Sequence, residues 1–175
     1  MEPQTGALMK PTLVGTTALV TGASSGLGRH FACVLAAAGA TVIVTARRPE
    51  RLQAVVSQIR GKDGRASALV MDVTDRANVC RALDEAGSLD VLVNNAGVSD
   101  TKSVLDYTDS DWETITGTNL KGAWIVAQEA ARRMVADNKG GSIINVTSIL
   151  ASRVAGGVSP YAAAKVGLKH LTRSM

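Results

Sequence analysis

At 175 residues with a formal net charge of +4, the chain is sized for one domain around a single core. Hydrophobic residues at 46% and charged residues at 19% exclude a disordered or fibrous chain, and aromatic residues at only 3% leave the core to Val, Leu, Ile and Ala. Basic residues are scattered, with no cluster beyond the pairs Arg47, Arg48 and Arg132, Arg133, which argues against nucleic acid as a partner.

Residues 1–12, MEPQTGALMKPT, have neither the apolar run of a secretory signal nor the Arg-rich pattern of a transit peptide. They read as a flexible N-terminus ahead of one domain over residues 13–175. No stretch has the length of a membrane-spanning helix, so no membrane partner and a cytoplasmic location are expected. Cys33 and Cys80 fall in helical patterns and read as free, buried thiols of a reducing compartment.

The apolar runs then alternate in type along the chain. Residues 17–21 (TALVT) predict a strand and 26–38 a helix. A strand follows at 41–45 (TVIVT), then a helix at 49–60 with Pro49 at its first position, where a missing N–H costs nothing. Residues 66–71 predict a third strand and 75–86 a helix capped by Thr74. Residues 90–94 (DVLVN) predict a fourth strand. A long helix is expected from Ser110, with Ser110 and Glu113 at capping-box spacing, running towards Asp137 with a kink at Gly117 or Gly122. Residues 142–147 predict a fifth strand, and a last helix begins near Pro160.

Strands alternating with helices predict a parallel sheet. Near-continuous Val, Ile and Leu runs predict strands buried on both faces. The expected fold is therefore α/β: a Rossmann-like doubly wound parallel sheet of five strands, order 3-2-1-4-5, with helices on both faces.

Between the first strand and first helix lies TGASSGLG, with Gly22, Gly26 and Gly28 spaced Gly-x3-Gly-x-Gly. Glycines there allow a tight turn and close approach of the backbone to a pyrophosphate, which the helix N-terminus attracts. NAD-selective sites place an acid at the end of the second strand. Here that position is Ala46, followed by Arg47 and Arg48, whose guanidinium groups suit a 2′-phosphate. NADP is therefore favoured, with NAD as the alternative. His30 and His170 lack ligand companions at useful spacing, so no metal site is expected.

TGASSGLG, NNAG (residues 94–97), Asn119, Ser148 and YAAAK (residues 161–165), in that order and with Ser148 thirteen residues before Tyr161, resemble the short-chain dehydrogenase/reductase (SDR) family from Thr16 to the last residue. The resemblance implies cofactor contacts from Gly22, Ala23, Ser24, Ser25, Gly26, Leu27 and Gly28 around the pyrophosphate and ribose. It implies Asp72 and Val73 at the adenine, and Asn95, Ala96 and Gly97 at the middle of the cofactor. It makes Asn119, Ser148, Tyr161 and Lys165 the catalytic set: Tyr161 as acid and base, Ser148 holding the substrate oxygen, Asn119 holding a water at a helix break. Lys165 would hold the nicotinamide ribose as well as its catalytic place.

The physical reading of YAAAK agrees with this. Residues four apart share a helix face, so Tyr161 and Lys165 point the same way. A free tyrosine titrates near pH ~10, and a neighbouring ammonium lowers that value. The implied activity is hydride transfer between a nicotinamide and a small-molecule ketone or secondary alcohol, with a 3-oxoacyl thioester as one candidate, as in the 3-oxoacyl-(acyl-carrier-protein) reductases that this chain looks like. The alternative is a non-catalytic dinucleotide-binding or interaction protein, or an inactive fragment, on the same scaffold. Family members continue past this helix with two further strands and a substrate-covering loop and assemble as homo-dimers or homo-tetramers. The present chain is therefore expected to be incomplete at its C-terminus.

Overall fold

In strand β1 (Thr17–Thr21) the side chains alternate between two buried surfaces, Ala18 and Val20 to one and Leu19 to the other. The same alternation runs through β2 (Thr41–Ala46), where Val42 and Val44 oppose Ile43, because successive residues of a strand face opposite ways. With β3 (Arg65–Val70), β4 (Val91–Asn94) and β5 (Ser142–Asn145) these form one parallel sheet in the order β3-β2-β1-β4-β5, as expected. The computed structural model describes residues 12–175. The expected flexible N-terminus, apart from Thr12, lies outside the described residues.

The first buried surface takes Ala32 and Ala36 of helix α1 (Gly26–Ala37) and Leu52, Val55, Val56 and Ile59 of α2 (Pro49–Arg60). The second takes Val79, Ala82 and Leu83 of α3 (Arg76–Ala86) and Ile125, Val126, Ala127, Ala130 and Met134 of α5 (Ala123–Ala136). Helices thus cover both faces, and the small residues of α1 and α5 let them lie close to the sheet. Helix α6 (Ser159–Ser174) packs on α4 (Asp109–Thr116) and beside β5.

Three local expectations are corrected. Helix α3 is capped by Asp75, whose carboxylate accepts the Asn78 amide at 3.1 Å, and not by Thr74. Thr74 is otherwise engaged: its amide and hydroxyl both donate to Asp72 Oδ1, at 2.9 and 2.7 Å. The capping box of α4 is Thr108 with Asp111, not Ser110 with Glu113. Asp111 closes the box by accepting the Thr108 amide at 3.0 Å and takes Lys102 Nζ at 2.7 Å. The Lys102 ammonium, then the Thr108 amide and hydroxyl, lower the Asp111 carboxyl to about 2. Cys33 and Cys80 are free but only half-buried, each on a partly exposed helix side.

The expected kink is a π-helical turn, Gly117–Gly122, joining α4 to α5. Both candidate glycines belong to it. Gly122 lets the turn lie against the loop after β3, since a Cβ there would fall 2.9 Å from Val73 Cγ2. Nothing in the sequence pattern signalled Glu129 of α5. Its side chain is only 7% exposed and meets Arg76 of α3, Arg132 at 2.6 Å and Arg133 at 3.5 Å. Burial alone would raise its pKa, but the three guanidinium groups outweigh that and hold it below the usual value. It fastens α5 to α3.

Candidate active site

The glycine loop and the NNAG segment are shaped to each other. Gly22 has φ +63°, and a Cβ there would fall 2.7 Å from the Ala96 Cα. A Cβ on Gly28 would strike the Gly22 carbonyl and lie 2.5 Å from Asn95 Nδ2. The buried Thr21 hydroxyl accepts the Asn95 and Ala96 amides, both at 2.9 Å, and Asn95 Nδ2 donates to Thr21 O at 2.9 Å. These bonds bring the loops after β1 and β4 together at the C-terminal edge of the sheet. That edge, where the strand order reverses, is where open α/β sheets bind ligands.

A cleft of about 380 Å³ opens there. Of the residues expected to touch a cofactor, Gly22, Ser24, Ser25, Leu27, Gly28, Arg47, Arg48, Asp72, Val73, Asn95, Ala96 and Gly97 line it. Ala23 and Gly26 do not. Ala23 is fully buried and its amide donates to Thr45 O at 3.0 Å, tying the loop to β2. Gly26 supplies a φ of +54° at the start of α1. Four further residues line the cleft: Ala46, Met71, Val98 and Thr118. Val98 and Thr118 carry no polar motif of their own; their proximity to NNAG and to Asn119 was the only available signal.

Asp72 shows how the cleft is charged. Partial burial would raise its pKa, but the Thr74 amide and hydroxyl and the nearby Arg47 together bring it below the ordinary value. The carboxylate thus stays ionised beside a guanidinium. On the adjoining strand, where the Ala46 carbonyl accepts the Met71 amide at 3.0 Å, Ala46 leaves the end of β2 without an acid.

Asn119, Ser148, Tyr161 and Lys165 lie outside the cleft lining. Asn119 sits within the π turn and is fully buried. Its Nδ2 donates to Val98 O at 2.7 Å and to Ile115 O at 2.8 Å, and its Oδ1 accepts the Val98 amide at 3.3 Å. Both amide hydrogens are therefore committed to backbone, and Val98 connects Asn119 to the cleft wall. Ser148 follows β5 and caps a short 3₁₀ turn, Ile149–Ala151, by accepting the Leu150 amide at 3.2 Å. Among the described residues its own O–H has no acceptor.

Tyr161 and Lys165 stand one turn apart on α6, with Lys165 Nζ 5.7 Å from the centre of the Tyr161 ring. Lys165 is 4% exposed and, among the described residues, its one hydrogen bond goes to Val146 O at 2.7 Å. Burial pushes its ammonium below the usual lysine range. A polar chain beneath holds this helix to the sheet: Asn94 Nδ2 donates to Asn145 Oδ1 at 3.1 Å, and Asn145 Nδ2 to Thr172 Oγ1 at 3.0 Å. Among the described residues, no helix is long and apolar enough to cross a membrane.

A reversed strand order, a glycine loop against a helix N-terminus and a polar cleft at the strand ends define a doubly wound α/β protein of the dinucleotide-fold class. The sequence matches the short chain dehydrogenase family over residues 16–175, and the chain belongs to that family. It is 34% identical over 168 residues to gluconate 5-dehydrogenase of Gluconobacter oxydans (strain 621H), covering 94% of this chain and 65% of that protein. It is 40% identical over 167 residues to 3-oxoacyl-(acyl-carrier-protein) reductase of Vibrio harveyi, covering 93% and 67%. The crystal structure of a gluconate 5-dehydrogenase from Burkholderia cenocepacia J2315 in complex with NADP and tartrate superposes with a TM-score of 0.89 at 35% identity, covering 95% of this chain and 66% of that one. The chain thus spans about two thirds of the length of these relatives.

Proposed function

We propose that residues 13–175 form an NADP-binding domain and that the protein transfers a hydride between nicotinamide and a ketone or secondary alcohol. The observation that carries this reading is the buried Lys165 ammonium set against the Tyr161 ring, on a helix beside the cleft. An ammonium is costly to bury without a task or a counter-charge, and among the described residues its one hydrogen bond is to a neutral carbonyl.

The residues present fit the cofactor. Gly22 and Gly28 leave no room for side chains where the backbone must approach a pyrophosphate, and the N-terminus of α1 offers free amides. Arg47 and Arg48 line the cleft beside Ala46, which favours a 2′-phosphate and so NADP over NAD. The NADP complex of the Burkholderia relative supports the same choice.

The dinucleotide, when bound, supplies or accepts the hydride. Tyr161 gives or takes the proton at the substrate oxygen. Lys165 stabilises the negative charge left on the phenolic oxygen, and its two remaining N–H donors suit a ribose. The Ser148 O–H donates to the substrate oxygen and polarises the carbonyl. Asn119 acts through Val98, fixing the loop that closes over the middle of the cofactor. The relatives' names suggest two substrate kinds, a keto-sugar acid and a 3-oxoacyl thioester.

The test is NADPH and NADH oxidation with both kinds of substrate, for the unaltered protein and for Tyr161→Phe. NADPH is expected to be preferred, and the variant to lose about 10²–10⁴-fold in kcat, the span of general acid–base catalysis, with NADPH affinity unchanged. Equal turnover by the variant would overturn the role of Tyr161. Failure of the unaltered protein with every carbonyl tried would overturn the reading as a whole.

A further inference from the structure

Helix α6 begins only two residues before Tyr161, yet its N-cap, Val158, makes no side-chain hydrogen bond. The first amides of a helix lack partners within it, so an uncapped start frays readily. Fraying here would move the phenol. The chain is instead held one residue earlier, at Gly157.

Gly157 has φ +74°, and its carbonyl accepts two hydrogen bonds from another loop: the Lys102 amide at 3.0 Å and the Tyr107 hydroxyl at 3.0 Å. The same hydroxyl lies 2.7 Å from the Asp100 carbonyl, so one O–H bridges two backbone segments. A Cβ on Gly157 would lie 3.2 Å from the Thr101 methyl and 3.3 Å from Lys102 O, so the two loops also meet tightly in space. Lys102 Nζ stands 5.9 Å from the Tyr107 ring centre and is itself held by Asp100 at 3.1 Å and Asp111 at 2.7 Å. The loop bearing these residues leaves the cleft wall at Gly97 and Val98. A continuous set of contacts therefore runs from the cleft through Asp100, Lys102 and Tyr107 to Gly157 and into α6.

We propose that Tyr107, the only tyrosine besides Tyr161, is a positioning residue: its hydroxyl clamps the Gly157 carbonyl and sets where the Tyr161 phenol stands relative to the cleft. The proposal rests on the reading of Tyr161 given above. Tyr107 does not line the cleft, and acts through the backbone that leads into α6.

Tyr107→Phe tests it, since the ring, its packing and its contact with Lys102 remain while the O–H is lost. Amide hydrogen exchange over residues 158–163 is expected to quicken roughly five- to tenfold, as one lost hydrogen bond implies. With carbonyl substrate, kcat is expected to fall on the order of tenfold, because small displacements of a reacting group are costly, while NADPH affinity stays within about twofold, the cleft residues being untouched. Exchange and kcat like those of the unaltered protein would overturn the clamp. So would losses of kcat, NADPH affinity and melting temperature in parallel, which mark general destabilisation. Quickened exchange in a protein that turns over no carbonyl would keep the clamp and overturn the reductase reading instead.

Discussion

The side chain of Asn119 occupies the space that a side chain on Gly97 would need: a Cβ on Gly97 would lie 2.5 Å from Asn119 Oδ1. One residue belongs to the loop after β4 and the other to the π turn, and Gly97 cannot gain a side chain while Asn119 stays in place. Gly97→Ala is expected to cost ~1–3 kcal/mol through overpacking. It should also weaken NADPH binding, because Asn119 is bonded to Val98 and both Val98 and Gly97 line the cleft. Gly117→Ala is the control. It belongs to the same π turn and nothing lies within 4 Å of its added Cβ. Chemical unfolding and NADPH titration of the two variants check the contrast; equal effects would refute it.

The glycines of the first loop are not equivalent. Gly28→Ala drives a methyl into the Gly22 carbonyl and the Asn95 amide, so nucleotide binding is expected to be lost. Gly26→Ala meets open space but forces a φ of +54° on alanine, a strain of about 1–2 kcal/mol. It should lower the melting temperature while leaving NADPH affinity within a few-fold. Isothermal titration of both variants decides, and equal loss of affinity would show that loop conformation matters more than space.

The buried Lys165 gives a pH dependence of known sign. Its folded value lies below that of the unfolded chain, near ~10.4. Between the two, the unfolded chain binds more protons, so stability rises with pH; below the folded value both states are protonated and the slope vanishes. Urea unfolding across neutral to alkaline pH should show that rise, and Lys165→Met should remove it. Parallel curves for the two proteins would exclude Lys165 as its source.

The order of elements was legible because each strand and helix carries its own period and punctuation. The strand at Thr17–Thr21 and the helix at Pro49–Arg60 have their expected bounds, and the five strands lie in the expected order. The caps were less legible. Thr74, Asp75, Thr108 and Ser110 are all competent N-caps, and the choice among them depends on where competing partners such as Asp72 and Lys102 come to lie. Glu129 gave no signal, since an acid on a helix is ordinarily solvated, and its three arginines come from two helices.

By itself, the sequence determined the glycine loop at the head of α1 and the shared helix face of Tyr161 and Lys165, because each depends on spacing within one short segment, and the parallel sheet, because strand and helix patterns alternate along the chain. The tertiary structure decided the rest. It turned Asn119 inward through the π turn, set Val98 and Thr118 in the cleft and left Ala23 and Gly26 out of it, and delivered the Tyr107 hydroxyl to the Gly157 carbonyl. Those relationships join residues tens of positions apart. They exist only once strand order has brought the loops after β1, β4 and β5 to one edge of the sheet.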